Sequence, residues 1–199
     1  MLTIRGIERF WNSKETAALL RELIGMRIEK GVAGDLAGRA PAAAAALSLI
    51  RIDEWQKNAS PLCGTLIRAV LSAQEADGGW GDVLVTALCV RALSLSNGAG
   101  HSIERGLAYL ANLQQPAGSW PRVPLRRMSA DETTTAFVLM QLADLPIFWE
   151  RIQAEEAFDY LAGCDLTHEP DAALFYNAAR LRRPPAHVLH NLERVALFS

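Results

Sequence analysis

Three arginines, Arg122, Arg126 and Arg127, fall just before an acidic pair, Asp131-Glu132. Guanidinium groups present planar forks that suit phosphate, so this loop is a candidate anion anchor. Its plainer reading is a solvated basic loop. Ser129 stands three residues before Glu132, a spacing that predicts a capping box, and Asp131 adds negative charge at the same helix start. Cys164-Asp165 with His168 forms a short run of metal-ligating residue types within one turn of chain. His187 and His190 share a helix face at i,i+3 without a third ligand and are read as surface residues. No metal and no cofactor are expected. Arg182-Arg183 precede Pro184 at a predicted helix end, where cations complement the helix dipole.

The composition limits what this chemistry can serve. The chain has 199 residues, half of them hydrophobic and 21% charged, which suits one domain with a sizeable core. A net charge of −2 and a pI near 6.1 argue against nucleic-acid binding by bulk charge. Three cysteines cannot complete a disulfide framework. Met1 to Phe10 carries Arg5, Glu8 and Arg9 and lacks the apolar centre of a signal peptide, so a cytoplasmic location is expected. The longest apolar stretches, Ala42–Ile50 and Val83–Val90, are shorter than the ~18–20 residues that cross a bilayer.

Strand signals are scarce, and caps and breakers mark about nine helices. They are predicted over residues 13–30, 40–56, 60–74, 83–96, 102–114, 129–144, 147–162, 171–181 and 185–196. The run Ala42–Ala46 lets a neighbouring backbone come close, so its helix should pack deep. Residues 83–96 are apolar almost all round, the pattern of a buried helix.

A repeat organises these helices. Gln74…Gly78-Gly79-Trp80 has the form Q-x3-G-x-W, and Gln114…Gly118-Ser119-Trp120 repeats it 40 residues later. The second copy extends backwards as Arg105-Gly106-x-x-Tyr109-Leu110. A weaker third copy, Ala157-x-x-Tyr160-Leu161-x3-Asp165, replaces the glutamine with aspartate. Downstream, Asp82-x3-Thr86-Ala87 matches Asp131-x3-Thr135-Ala136, offset by 49 because nine extra residues lie around 121–129. In each unit, glutamine can bond two helix ends, glycine can turn with positive φ, and tryptophan can cover the turn. Gln74, Gly78, Trp80, Gln114, Gly118 and Trp120 are thus structural.

These residues resemble the QW repeats of the triterpene cyclases, the squalene–hopene cyclase family, within a superfamily that includes the β subunits of protein prenyltransferases. The resemblance covers about residues 60–180. It implies an all-α fold of helical hairpins forming an (α/α) toroid or part of one, with the second, fourth, sixth and eighth predicted helices inside. It also implies a proton-initiated cyclisation of an isoprenoid or related polyene. The family's acid motif, Asp-x-Asp-Asp-Thr-Ala, matches Asp131-Glu132-Thr133-Thr134-Thr135-Ala136 in its first aspartate and its Thr-Ala, but Thr133 stands at the acid position. Asp131 or Glu132 would have to donate the proton, from an apolar pocket that keeps it neutral. Arg122, Arg126 and Arg127 would anchor a diphosphate. Phe137, Phe175 and Tyr176 would line the cavity beside Asp82, although such aromatics more often fill a core. The prenyltransferase zinc pair has no counterpart at Asp131-x-Thr133 or Asp82-x-Leu84, and Cys63-Gly64-Thr65-Leu66 lacks the thioester sequence of complement-like domains. The alternative is a non-catalytic toroid domain that binds an apolar ligand or a protein. A closed toroid takes about twelve helices at roughly 40–49 residues per hairpin, so an incomplete ring is expected, its edge covered by a second copy or a partner subunit.

Overall fold

The computed structural model of the protein describes residues 39–55, 61–96, 98–125 and 128–185. The helices expected over 13–30 and 185–196, His187, His190, Arg126 and Arg127 lie outside the described residues. Among those residues the fold is all-α, with eight α-helices, one 3-10 turn and two isolated bridges, Trp80 with Asp82 and Pro121 with Ala130. No helix among them is long and apolar enough to cross a membrane. The chain divides into two compact units between Ala73 and Gln74.

The first unit holds α1 (Arg39–Glu54) and α2 (Pro61–Ser72), which pack on each other. Ala42, Ala45, Ala46 and Leu49 are buried on α1, so the alanine run lies in the core as its small side chains predict. Leu66 and Val70 are the buried residues of α2.

The second unit is built on the repeat. Its helices are α3 (Val83–Ser94), α4 (Gly100–Leu113), α5 (Glu132–Leu142), α6 (Pro146–Arg151), α7 (Ala154–Ala162) and α8 (Pro170–Arg182). A 3-10 turn at Leu166–His168 precedes α8. Helix α5 packs against both α3 and α8, which makes a row of three. Helix α4 packs on α3, α6 on α4 and α7 on α5. The apolar sequence of α3 is buried on nearly every side, at Val83, Thr86, Ala87, Leu88, Cys89, Val90, Ala92 and Leu93. By contrast α4 and α7 are amphipathic and bury one face each.

Two local expectations are corrected. The helix expected over 147–162 is two helices, broken at Ile152-Gln153. The side chain of Gln114 accepts from the Gln153 N–H, which therefore leaves the helical ladder, and donates to the Gln153 carbonyl, which also accepts from Ala157 N–H as the N-cap of α7. The capping box on Ser129 does not form. Helix α5 starts at Glu132, with Asp131 as its N-cap, so Ser129 lies outside the helix.

Candidate functional site

The glutamine side chains of the two Gln/Gly/Trp turns donate the same pair of hydrogen bonds. Gln74 Nε2 donates to Gly78 O at 2.8 Å and Ser102 O at 2.9 Å; Gln114 Nε2 donates to Gly118 O at 2.8 Å and Gln153 O at 2.9 Å. Gly78 and Gly118 have φ of 94° and 82°. A side chain at Gly118 would also strike the backbone of Glu156 and Ala157. The Trp80 and Trp120 rings are buried, and the Trp120 indole donates to Leu110 O at 2.8 Å.

Each turn then hands the chain to a helix in the same way. Asp82 Oδ1 accepts from Val85 N at 2.8 Å, and Asp131 Oδ1 accepts from Thr134 N at 2.7 Å. Thr86 Oγ1 and Thr135 Oγ1 accept from the backbone N–H of Trp80 and Trp120, both at 3.0 Å. The Asp-x3-Thr spacing is therefore a joint between turn and helix. Its aspartate caps, and its threonine holds the tryptophan backbone.

Arg105, Gly106 and Tyr109 serve the turn of the preceding copy. Arg105 donates to Glu75 O and Ala76 O, at 2.7 and 3.0 Å. Gly106 leaves room for the Trp80 ring, and Tyr109 reaches Gly81 O at 3.4 Å. The equivalent of Tyr109 in the third copy is Tyr160, whose hydroxyl instead donates to Glu132 Oε1 at 3.2 Å. In the first copy the residue at the position of Glu132 is Val83, which is fully buried. Glu132 is thus one of three positions, with Thr133 and Thr134, at which this helix start puts a polar residue where the first copy has an apolar one. Burial, with the Glu132 carboxylate and Cys164 beside it, pushes the Tyr160 phenol above its ordinary range. Burial also raises the Cys164 thiol.

The other expected site residues fall in separate places. Arg122 is exposed on the loop between Trp120 and Asp131. Phe137 and Phe175 meet edge to face across α5 and α8, with ring centroids 5.5 Å apart. Tyr176 belongs to a second cluster with Phe158 and Trp149, which stack on each other at 5.9 Å. The Arg183 guanidinium lies 5.0 Å from the Phe158 ring and 5.7 Å from that of Trp149, and pairs with Glu155. That aromatic face already holds a cation. Trp149, Phe158 and Arg183 were not legible as a group, because they come from three elements with no shared spacing. The arginine pair stands at the end of α8 as expected, Arg182 in its last turn and Arg183 as its C-cap. Arg182 also donates to Met140 O in the last turn of α5 at 3.0 Å, and Arg183 reaches Glu155 of α7, so both tie neighbouring helices as well.

In comparisons with family models, characterised proteins and solved structures, none matches this chain. The site must therefore be read from its own geometry. No group of three or more metal-ligating side chains comes together among the described residues. Asp165 accepts from the Thr167 hydroxyl and backbone N–H and caps the 3-10 turn, while Cys164 donates to Tyr160 O. That run is a turn. Cys63, Cys89 and Cys164 are all thiols. A cavity of about 370 Å³ lies beside the second turn, lined by Ala111, Gln114, Gln115, Pro116, Arg151 and Gln153. Of the expected site residues it touches only Gln114.

Proposed function

We propose that this protein is a helical-hairpin domain of the terpene-cyclase-like kind that binds an isoprenoid or related apolar chain, and that the acid of any proton-initiated cyclisation is Glu132. The observation that carries the reading is the exchange of Val83 for Glu132. Asp131 and Thr135 have counterparts in Asp82 and Thr86, which hold the fold, whereas Glu132, Thr133 and Thr134 replace Val83, Leu84 and Val85. Glu132 is the ionisable one of these three, and it is half-buried and held by Tyr160. A position that breaks the rule of its own repeat is where function is expected. Asp131 spends Oδ1 on the Thr134 N–H, as Asp82 does on Val85, and serves as a cap. Phe137, on the same helix as Glu132, and Phe175 on α8 form an edge-to-face pair that is the candidate aromatic wall, and Arg122, Arg126 and Arg127 remain the candidate anchor for a diphosphate.

A second reading, a non-catalytic binding domain, is favoured by the identical capping of Asp82 and Asp131. Incubation with farnesyl diphosphate, geranylgeranyl diphosphate and squalene, followed by product analysis, separates the two. Cyclised product lost in Glu132→Gln but kept in Asp131→Asn supports the acid assignment. Product kept in Glu132→Gln sinks it. Saturable binding without turnover selects the binding domain.

The outer face of α8 supports the expected cover of an open edge. Leu174 is 63% and Leu181 89% exposed, seven residues apart on one side of the helix. A second copy or a partner subunit on that face completes the reading. A monomer at high concentration, unchanged by Leu181→Asp, counts against the second copy.

A further inference from the structure

The first repeat joins Trp80 to its cap Asp82 through one residue, Gly81, whereas the second joins Trp120 to Asp131 through ten, residues 121–130. The hydrogen bonds on either side are the same in both copies. The longer loop is closed at its base by the bridge of Pro121 with Ala130 and by Asp131 N–H to Trp120 O at 3.0 Å. The turn and cap bonds shared by the two copies therefore need none of the extra residues, one of which, Met128, is tied to the turn through its carbonyl by Gln115 Nε2.

Those residues carry a definite chemistry. Val123, Leu125 and Met128 are 44%, 60% and 44% exposed, three of the seven large apolar side chains most exposed among the described residues, all on this one loop. Arg122 is exposed beside them. The sequence of the loop has three arginines and no acidic residue, in a chain whose net charge is −2. Folding gains nothing from leaving three large apolar side chains in water on an inserted loop, so a partner is the reason to seek.

We propose that Arg122, Val123, Leu125 and Met128 form a docking surface for an anionic lipid membrane. Aliphatic side chains interleaved with arginine fit the boundary between headgroups and acyl chains. The apolar groups enter the boundary and the guanidinium stays at the level of the phosphates. Three half-exposed side chains are far short of the about 800 Å² per partner of a stable protein complex, but they suffice for reversible attachment to a lipid surface. Nucleic acid is a poorer fit, because the loop offers no aromatic ring for stacking. This surface gives Arg122 a role that competes with that of a diphosphate anchor, and it requires no chemistry at Glu132.

Co-sedimentation with vesicles tests it, using phosphatidylcholine alone and phosphatidylcholine mixed equally with phosphatidylglycerol. The protein should bind the anionic vesicles and bind the neutral ones far more weakly. Arg122→Gln should lower the partition coefficient about fivefold, and salt should weaken binding. Replacement of residues 121–130 by a single glycine, in imitation of Gly81, should abolish binding and leave the circular dichroism spectrum helical. The triple variant Val123→Ser, Leu125→Ser, Met128→Ser keeps the full loop and should lose binding at least tenfold. Equal binding by either loop variant and the parent overturns the proposal, as does failure of the parent to bind anionic vesicles. Loop-dependent binding of inorganic diphosphate without vesicle binding also overturns it and returns the arginines to a substrate. Loop-dependent self-association without vesicle binding overturns it in favour of a second copy.

Discussion

The backbone N–H of Trp120 donates to Thr135 Oγ1 at 3.0 Å. Both groups are buried, and Thr135 Oγ1 also donates to Asp131 O at 2.8 Å. One hydroxyl thus ties the turn to the helix that follows it. Thr135→Val keeps the shape and removes the acceptor, which leaves a buried N–H unpaired. The expected loss is about 1–3 kcal/mol. Thr135→Ser should recover most of it, and Thr86→Val should behave like Thr135→Val. Urea denaturation of the four proteins checks this.

Gln114 is 6% exposed, and its amide meets three backbone groups, donating to Gly118 O and Gln153 O and accepting from Gln153 N–H. Gln114→Glu would point a buried carboxylate at two carbonyl oxygens. The expected cost is about 3 kcal/mol or more at neutral pH. The deficit should shrink on acidification, because a neutral carboxyl can donate again. Gln74→Glu, at a half-buried turn, should cost less. Denaturation midpoints at neutral and mildly acidic pH measure both effects.

Two glycine-to-alanine changes should have opposite signs. A Cβ at Gly106 would lie 2.6 Å from Val90 Cγ2 and 3.0 Å from the Trp80 ring, so Gly106→Ala should cost about 1–3 kcal/mol through overpacking. At Gly64, inside α2, the nearest atom is the flexible end of Arg68 at 3.7 Å. Gly64→Ala should stabilise by up to about 1 kcal/mol through helix propensity. Thermal melts of the two variants decide the signs.

Burial pushes the Cys89 thiol well above its ordinary value of 9.0, with the Asp82 carboxylate adding to the effect. Above that value the unfolded chain gives up this proton while the folded chain keeps it. The folded state then binds more protons, so stability falls as pH rises. Cys89→Ala should flatten the decline between about pH 8 and about pH 10. Tyr160, whose ordinary value is 10.0, adds its own loss from about pH 9 upward, and Cys164, raised from 9.0, shares the window of Cys89, so Cys89→Ala removes part of the decline. Cys89 should resist alkylation in the native protein and react on unfolding, as mass spectrometry of labelled peptides would report.

Much of this was legible because the repeat reports on itself. The Gln/Gly/Trp turns, the buried α3 and the small-residue face of α1 follow from spacing and residue type. The break between α6 and α7 did not, because neither glycine nor proline marks it. Its cause is a side chain 39 residues away, Gln114, which no local pattern reveals. The capping box on Ser129 failed for a related reason. Asp131 offers a carboxylate at the position that Asp82 occupies in the first copy, and the tie from Trp120 O fixes that residue as the cap. The proposed acid site was legible only in part. The family motif drew attention to both Asp131 and Glu132, but the equivalence of Asp131 with Asp82, and the contact of Glu132 with Tyr160, required the folded chain.

Gly81 and the ten residues from 121 to 130 answer to the same structural demand. Between the tryptophan and the aspartate cap the chain leaves the helical frame and returns to the same bonds, whatever its length. That point works as a port for grafted sequence. A segment spliced in place of Gly81 would be held at both ends by the Thr86 and Asp82 bonds, provided that it still offers a carbonyl to the Tyr109 hydroxyl of α4.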